Sequence, residues 1–360
     1  MTKRVRLLVG TKKGAFTLDS DASRREWSIS PPLCEGWPVH DLIIEPGTGA
    51  ILAGSGNAWY GPAVWRSDDG GTTWSHSSNG MTYGDEAEPI KTIWSLASAP
   101  DGSLLAGVEP AGLFRSRDRG ATWTHVEGLT NHPSRPTWGP GAGGLILHTI
   151  IPHPTDTERA WVGISAVGVF ETRDGGASWQ ARNVGVRAES NPTDNFPETG
   201  QCVHKFAMAA GQPETLYQRN HNGVYRSDDG SETWHEISDG LPTDFGFAMV
   251  SHPRDPDTCW VIPLSLPQEG RHMPDGHTAV WRSHDRGASW ICSDAGLPTH
   301  DAYMSVLREA MARDTLDPVG ITFGTETGQL WHSSDGGESW RMITDTLPEI
   351  WAVETVVLDG

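Results

Sequence analysis

Positive charge, long apolar runs and paired cysteines are all scarce in this chain of 360 residues. Its formal net charge of −19 disfavours binding to nucleic acids and to anionic membranes, because both require a positive surface. No apolar run is long enough for a transmembrane helix. The four cysteines are far apart and form no CxxC motif, and no signal peptide precedes the strand-like residues 5–10. These absences predict a soluble protein of the reducing cytoplasm.

Helical periodicity is also nearly absent, whereas turn formers and tryptophan are abundant. The chain has 42 glycines, 25 prolines and 17 tryptophans. This composition suits many short strands joined by tight turns.

One octapeptide, S/T-x-D-x-G-x-S/T-W, occurs six times. The copies begin at Ser67, Ser116, Thr172, Ser227, Ser283 and Ser333, in steps of 49, 56, 55, 56 and 50 residues. A fixed period of this size indicates a repeat architecture in which each unit is a small sheet. In the fourth copy, Ser231 replaces the glycine.

The residues of the octapeptide explain its shape. A short, mostly apolar run that ends in an aromatic residue precedes every copy, as in Ala63-Val64-Trp65, and predicts a strand leading in. The aspartate and hydroxyl side chains can bond the backbone of a tight turn, and the glycine allows a positive φ. The closing tryptophan begins the next strand and buries a large apolar surface. The motif is therefore predicted to be a hairpin turn held by its own side chains.

This octapeptide resembles the Asp-box, or BNR repeat, of sialidases, sortilin ectodomains, some glycoside hydrolases and a photosystem II assembly factor. The resemblance covers about the whole chain. All of these proteins are β-propellers, so the resemblance implies an all-β propeller of four-stranded antiparallel blades. It does not identify a function, because one fold hosts unrelated activities.

The inner strands of the predicted blades count to seven rather than six. Their aligned segments are 40–46, 94–100, 148–154, 204–210, 247–253, 303–309 and 351–357. The last would join residues 6–10, 14–18 and 27–29 in a blade built from both ends of the chain, which leaves no exposed sheet edge. The sequence predicts a single seven-bladed propeller domain over residues 1–360, with six blades as the alternative.

Long insertions fall on one face of the predicted propeller. This face carries the connections from one blade to the next and the connections between the second and third strand of each blade. They are 78–91, 127–144, 182–201 and 264–278. Such one-sided loops favour a functional face. The octapeptides belong to the opposite face and are predicted to be structural.

The inner strands begin at the same face as the long loops. Their aligned first residues are His40, Trp94, His148, His204, Phe247, Tyr303 and Trp351. The turns pointing the same way carry Glu109, Arg219, His221 and Glu326. Three histidines and four aromatic residues are therefore expected around the mouth of the propeller channel.

Three interpretations of the histidines remain open. His40, His148 and His204 could bind one divalent metal ion, since imidazole suits Zn, Fe, Mn or Cu and Glu109 could complete the ligand set. One histidine could instead be a general acid or base beside Glu109 or Glu326, because its unperturbed pKa is about 6.5. The three could also be polar channel residues in contact with water.

The residues expected of a sialidase are missing. Sialidases hold the carboxylate of their substrate with three arginines, the first in an Arg-Ile-Pro motif, and use a Tyr–Glu pair with an acidic Asp. The nearest string here is Val261-Ile262-Pro263. Arg219 and Arg308 are candidate inner arginines, and no third one occurs at a matching place.

Two functional hypotheses follow. In the first, the chain is a hydrolase or lyase acting on a small molecule or a carbohydrate, with or without a metal ion. Its predicted catalytic residues are His40, Glu109, His148, His204 and His221, of which the histidines at 40, 148 and 204 are also the predicted metal ligands. Its predicted substrate-binding residues are Trp94, Arg219, Tyr303, Glu326 and Trp351, and the arginine would hold an anionic group. In the second, implied by the assembly factor and sortilin, the chain is a non-catalytic binding platform.

Overall fold

The fold is a seven-bladed β-propeller of four-stranded antiparallel sheets, with almost no helix. It is known from a computed structural model that describes residues 3–57, 59–84, 87–188 and 194–359. The prediction of seven blades is confirmed, and the alternative of six is wrong.

The described residues form strands that are numbered here along the chain. The strands are β1 (Arg4–Thr11), β2 (Gly14–Asp21), β3 (Ser28–Ile29), β4 (Val39–Ile44), β5 (Ile51–Asn57), β6 (Gly61–Ser67), β7 (Ser75–Ser77), β8 (Thr92–Ser98), β9 (Leu104–Glu109), β10 (Leu113–Ser116), β11 (Thr124–His125), β12 (Leu147–Pro152), β13 (Ala160–Ile164), β14 (Gly168–Thr172), β15 (Gln180–Ala181), β16 (Val203–Ala209), β17 (Gln212–Asn220), β18 (Gly223–Ser227), β19 (His235–Glu236), β20 (Gly246–Ser251), β21 (Cys259–Pro263), β22 (Val280–Ser283), β23 (Ile291–Ser293), β24 (Met311–Arg313), β25 (Ile321–Gly324), β26 (Leu330–Ser333), β27 (Arg341–Thr344) and β28 (Ile350–Leu358). The helical turns are α1 (Glu127–Thr130) and the 3-10 turns Cys34–Gly36, Arg135–Thr137, Pro267–Glu269 and Pro274–Gly276.

Six sheets pair consecutive strands, from β4–β7 to β24–β27, and the remaining sheet has the order β28-β1-β2-β3. In that sheet β1 pairs with β28 from Arg4↔Leu358 to Thr11↔Ile350. The two ends of the chain therefore share one blade, as the sequence predicts.

Two compact units divide the chain. Unit 1 comprises Met1–Gly36, His204–Asp228 and His235–Gly360, and unit 2 comprises Trp37–Val203 and Asp229–Trp234. Unit 2 holds the three sheets from β4 to β15. Unit 1 holds the sheet of both chain ends and the sheets of β20–β27, with most of β16–β19. A single domain over residues 1–360 stays a prediction.

Each unit has its own apolar core between sheets. In unit 1 the core includes Trp260 and Phe323, and in unit 2 it includes Leu147 and Phe170. Full burial of one such side chain contributes about 1.5–3 kcal/mol. Several strands are buried along their whole length, such as β14 and β26, so the side chains on both faces of these strands are covered.

All six octapeptides form the same turn. In each copy the fourth and fifth residues both have positive φ, for example 71° and 96° at Gly70 and Gly71. Ser67 Oγ donates to Asp69 Oδ1 at 2.8 Å and accepts from the Gly71 amide at 2.8 Å. The same carboxylate accepts from the amide and the hydroxyl of Thr73 at 2.8 and 2.6 Å. The predicted turn with its side-chain hydrogen bonds is therefore present.

The fourth copy shows how serine replaces the glycine. Ser231 keeps a φ of 78°, a conformation that costs a residue with a Cβ about 1–2 kcal/mol. Its hydroxyl accepts a hydrogen bond from the buried indole Nε1 of Trp161 at 2.9 Å. This bond offsets part of the strain.

The sixth inner strand is not where the alignment of repeats places it. Residues 303–309 were the predicted segment, but the inner strand is β24, which begins at Met311. Ser305 Oγ donates to the Arg271 carbonyl at 2.7 Å, and the Met273 amide donates to the Met304 carbonyl at 3.0 Å. The segment is thus bonded to the long connection after β21 and cannot form an inner ladder.

The cysteines are all free thiols. Across the described part of the chain, no helix has the length and hydrophobicity needed to cross a lipid bilayer.

Replacing Asp335 with alanine should lower the free energy of unfolding by about 1–3 kcal/mol, because the donors of the octapeptide turn lose a charged acceptor. Asp335 accepts from Ser333 Oγ at 2.7 Å, from the amides of Glu338 and Ser339 at 3.0 Å, and from Ser339 Oγ at 2.6 Å. Urea unfolding measures the change. Asp345→Ala, at an exposed position, is the control and should change stability by less than about 0.5 kcal/mol. Equal effects of the two variants would contradict the role of the turn.

Candidate functional site

The aligned first residues of several inner strands lie in β-bulges. The strand register shifts at His40 in β4, at Trp94 in β8, at His148 in β12 and at Trp351 in β28. A bulged residue is left out of the ladder, and bulges are common where a side chain must be re-aimed for function. The sequence alignment thus located a repeated backbone feature at one end of the blades.

In unit 2 the bulges bring an imidazole, an indole and a carboxylate together. The rings of His40 and Trp94 lie 4.3 Å apart between centroids. Trp94 Nε1 donates to Glu109 Oε2 at 3.2 Å. Lys91 Nζ lies 3.9 Å from the other Glu109 oxygen and 2.8 Å from Glu88 Oε1. Sequence reasoning missed Lys91 and Glu88, although both belong to the insertion 78–91 that it marked as functional.

The loop before β12 packs against the Glu109 carboxylate. A Cβ at Gly144 would lie 2.6 Å from Glu109 Oε1, and the φ of Gly144 is 110°. Only glycine allows this backbone to approach so closely. The loop therefore limits the freedom of the Glu109 side chain.

His40 is a neutral imidazole at pH 7. Burial lowers its pKa to about 4, and the hydrogen bond with the Gly56 carbonyl opposes this shift. The contact joins Nε2 and that carbonyl at 3.3 Å, so Nε2 carries the proton and Nδ1 carries the lone pair.

His148 is occupied on both ring nitrogens. Its Nε2 donates to the Val203 carbonyl at 2.9 Å, and its Nδ1 contacts Thr149 Oγ1 at 2.9 Å. Within the described residues, neither His40 nor His148 belongs to a group of three His, Cys, Asp or Glu side chains close enough to share a metal ion. A metal ion held by His40, His148 and His204 stays a prediction.

In unit 1 the predicted residues surround a pair of phenylalanines. His204 is buried, donates from Nδ1 to the Gly246 carbonyl at 2.7 Å, and lies 4.6 Å from Phe247 and 5.3 Å from Phe245 between ring centroids. His221 lies 4.8 Å from Phe245 and 5.4 Å from His204. The two predicted histidines of this unit are therefore neighbours on one aromatic surface.

Arg219 lies against the same surface and is 0 % exposed. A Cβ at Gly246 would meet Arg219 Nη2 at 2.6 Å, so the guanidinium packs on the backbone at the start of β20. None of its three nitrogens has a hydrogen-bond partner among the described residues.

Two further arginines of this unit cover the phenylalanines. The guanidinium carbon of Arg308 lies 4.9 Å from the ring centroid of Phe247, and that of Arg271 lies 5.9 Å from that of Phe245. Arg308 was considered from sequence as an inner arginine, and Arg271 was missed. The position of Arg271 in the insertion 264–278 was the signal that could have identified this residue.

The remaining predicted residues of unit 1 lie at its loops and at β28. Tyr303 is 66 % exposed and contacts the His272 ring edge-on at 5.1 Å. Glu326 is exposed, and its amide donates to the Ser305 carbonyl at 3.1 Å. Trp351 is partly buried in its bulge. The structure thus brings His204, His221 and Arg219 together on the aromatic surface of Phe245 and Phe247.

Another group in unit 1 has the side chains for a metal ion. The ligand atoms of His277, Cys292 and Asp294 all lie within 4.8 Å of one another. The imidazole already contacts the carboxylate, with Nε2 and Oδ2 at 2.8 Å. Nitrogen, sulfur and oxygen donors of this kind suit zinc, but none of these residues was predicted from sequence as a ligand.

A cleft of about 860 Å³ lies in unit 2 at the octapeptide end of its sheets. Its lining includes Arg115, His125, His132 and Trp179. Its lining combines residues of two octapeptide turns with residues 127, 128 and 131–133 of the insertion 127–144.

The sequence is similar to part of a known glycan-cleaving enzyme. No model of a known protein family matches the chain. An oligoxyloglucan-reducing end-specific xyloglucanase of Emericella nidulans is 26 % identical over 219 residues, which are 52 % of this chain and 25 % of that protein. The chain therefore spans about a quarter of the length of this curated relative.

Solved propellers of different roles share the fold. The GH74 xyloglucanase of Xanthomonas campestris matches with a TM-score of 0.57 and 18 % identity, over 97 % of this chain and 53 % of that one. YCF48 bound to a D1 peptide matches with a TM-score of 0.54 and 14 % identity, over 86 % of this chain and 83 % of that one. At these identities the likeness establishes the fold alone.

The His40 imidazole should remain neutral between pH 8 and pH 5, with an NMR titration midpoint near 4. Because burial disfavours its charged form, the unfolded chain takes up this proton first, near the ordinary pKa of about 6.5. The contribution of His40 to stability is therefore complete above about pH 6.5 and falls as the pH drops towards 4. Trp94→Ala, which uncovers the ring, should move the midpoint upward.

A wild-type midpoint for His40 above pH 6 would contradict its burial.

Proposed function

We propose that the chain is a carbohydrate-active hydrolase whose reacting groups lie in unit 2, where the inner strands begin. The observation that carries the proposal is one ammonium group, Lys91 Nζ, in contact with the carboxylates of Glu88 and Glu109. Hydrolysis of a glycosidic bond needs two such acidic groups beside the bond.

The two carboxylates differ in their surroundings. The Glu109 side chain is 19 % exposed, and the Glu88 side chain is 59 % exposed. We assign the enclosed Glu109 as the group that donates a proton to the glycosidic oxygen. Glu88, which is open to solvent, would take a proton from the attacking water.

Trp94 supplies the binding surface beside these acids. Its indole donates a hydrogen bond to Glu109 and lies beside the tilted His40 ring. Its partly exposed ring can cover the apolar face of a sugar. Aromatic side chains with a few fixed polar groups are typical of ligand sites. The similarity to a xyloglucanase over half of the chain supports a glycan as the ligand.

Glu109→Gln should lower kcat on xyloglucan oligosaccharides about 10²–10⁴-fold with little change in KM, because the amide cannot donate the proton. Release of reducing ends and mass spectrometry of the products measure the reaction. Glu158→Gln, at an exposed turn of unit 2, is the matched control and should retain the wild-type kcat. Equal activity of the two variants, or a wild-type chain that cleaves no β-glucan, would overturn the proposal.

A non-catalytic binding platform is the second candidate. It is favoured by the hydrogen bonds of His148 and His204 to backbone carbonyls, which use these imidazoles for structure. Under this proposal the wild-type chain binds oligosaccharides or a peptide saturably in calorimetry and releases no product.

A further inference from the structure

His277, Cys292 and Asp294 of unit 1 form one group of metal-ligating side chains, called the His-Cys-Asp group here. Their ligand atoms all lie within 4.8 Å of one another. Cys292 belongs to β23, the outer strand of its sheet, and Asp294 follows that strand directly. His277 lies near the end of the insertion 264–278, just before β22. The group therefore joins a long loop to the edge of a blade.

The strand geometry brings the three side chains to one face. Cys292 and Asp294 are separated by one residue, so their side chains leave the chain on the same side. The backbone is extended at His277, and its imidazole reaches across to the carboxylate, with Nε2 and Asp294 Oδ2 2.8 Å apart. A nitrogen, a sulfur and an oxygen atom thus converge from two neighbouring segments.

Backbone hydrogen bonds fix both segments that carry the group. The amide of Thr278, the residue after His277, donates to the Pro298 carbonyl at 2.9 Å. The Leu297 amide donates to the Asp294 carbonyl at 2.8 Å. The loop after β23 is therefore bonded to the end of the insertion, and ligands held in this way lose little further freedom when they bind an ion.

The distances in the group suit a tetrahedral zinc ion. Zn–N and Zn–O bonds of about 2.0–2.2 Å and a Zn–S bond of about 2.3 Å place neighbouring ligand atoms about 3.3–3.6 Å apart. The nitrogen and the oxygen, at 2.8 Å, must separate slightly, and the pairs with sulfur lie at 4.8 Å or less. Small side-chain rotations are sufficient to reach this geometry.

The donor types favour zinc over the hard cations. Imidazole nitrogen, thiolate sulfur and carboxylate oxygen are the ligands that zinc takes in proteins, whereas Mg²⁺ and Ca²⁺ prefer oxygen alone. The His277 and Asp294 side chains are each 39 % exposed and Cys292 is exposed, so an ion can enter from solvent. The net charge of −19 also attracts cations to the surface of the chain.

We propose that the His-Cys-Asp group binds one Zn²⁺ ion through His277 Nε2, Cys292 Sγ and an Asp294 carboxylate oxygen, with water in the fourth position. Binding releases the proton of the Cys292 thiol to solvent and changes no oxidation state. Three protein ligands and one exposed position are typical of zinc sites that stay open to a further ligand. The ion ties the insertion 264–278 to β23. This site is independent of the proposed hydrolase.

Titrations of the full chain with Co²⁺ and Zn²⁺ test the site, after reduction of the thiols and removal of metal with EDTA and then of EDTA by dialysis. One Co²⁺ per chain should bind and give a thiolate-to-cobalt charge-transfer band, and Zn²⁺ should displace it. Cys292→Ser should remove this band. His277→Gln and Asp294→Asn should each weaken zinc binding in calorimetry at least about tenfold, which is the cost even for residues that only orient a ligand. Excess Mg²⁺ should displace neither ion.

Thermal unfolding provides a second readout. Zinc at about 100 times its Kd shifts the unfolding equilibrium about 100-fold, so the Tm of the wild type should rise by roughly 5 °C. The Tm of Cys292→Ser should not rise. In EDTA the variants should unfold within roughly 2 °C of the wild type, because the three side chains are exposed or partly exposed.

His300→Gln and Cys202→Ser are the matched controls. His300 Nδ1 lies 3.2 Å from Asp301 Oδ2 in the same unit, and both side chains are exposed. Cys202 is the other thiol of the chain that is not buried. Both variants should keep the charge-transfer band and the zinc affinity of the wild type.

A wild-type chain that binds neither ion would overturn the site, as would an unchanged charge-transfer band in Cys292→Ser. Loss of the band in Cys202→Ser, or an equal loss of zinc affinity in His300→Gln and His277→Gln, would overturn the assignment to the His-Cys-Asp group. Zinc binding that depends on the group in a chain that cleaves no glycan would support the zinc site and overturn the hydrolase alone.

Discussion

The carboxylate of each octapeptide aspartate holds the hairpin turn on which the blades depend. Two consecutive residues with positive φ reverse the chain, and the carboxylate bonds the hydroxyl before them and the amide and hydroxyl after them. Because this turn is satisfied by its own side chains, it needs no long loop. The opposite end of each sheet is then the end at which insertions and special residues accumulate.

At that opposite end, each bulge leaves one residue of the inner strand out of the ladder and re-aims its side chain. His40, Trp94 and His148 occupy equivalent bulges in the three sheets of unit 2, yet their surroundings differ. Trp94 donates a hydrogen bond to the Glu109 carboxylate, whereas both ring nitrogens of His148 are in hydrogen bonds. Equivalent backbone positions therefore hold side chains with different partners, namely Glu109 of β9 for Trp94 and Val203 of β16 for His148.

The two units offer different chemistry. In unit 2, Glu88 and Glu109 share one ammonium beside an indole, an arrangement suited to acid and base work. In unit 1, Arg219, Arg271 and Arg308 gather around two phenylalanines, which concentrates positive charge there. The Arg-Ile-Pro motif of sialidases is absent from the sequence.

The sequence by itself determined the repeat, the turn and the seven blades, including the blade shared by both chain ends. These features depend on short-range rules, because glycine and aspartate favour a turn and a short apolar run favours a strand. Only the tertiary structure decided that the sixth inner strand begins at Met311 and that Lys91 joins Glu88 to Glu109. It also decided that the buried Arg219 guanidinium has no hydrogen-bond partner among the described residues. These outcomes depend on contacts between side chains of different segments. The spacing of residues along the chain does not predict which of these contacts form.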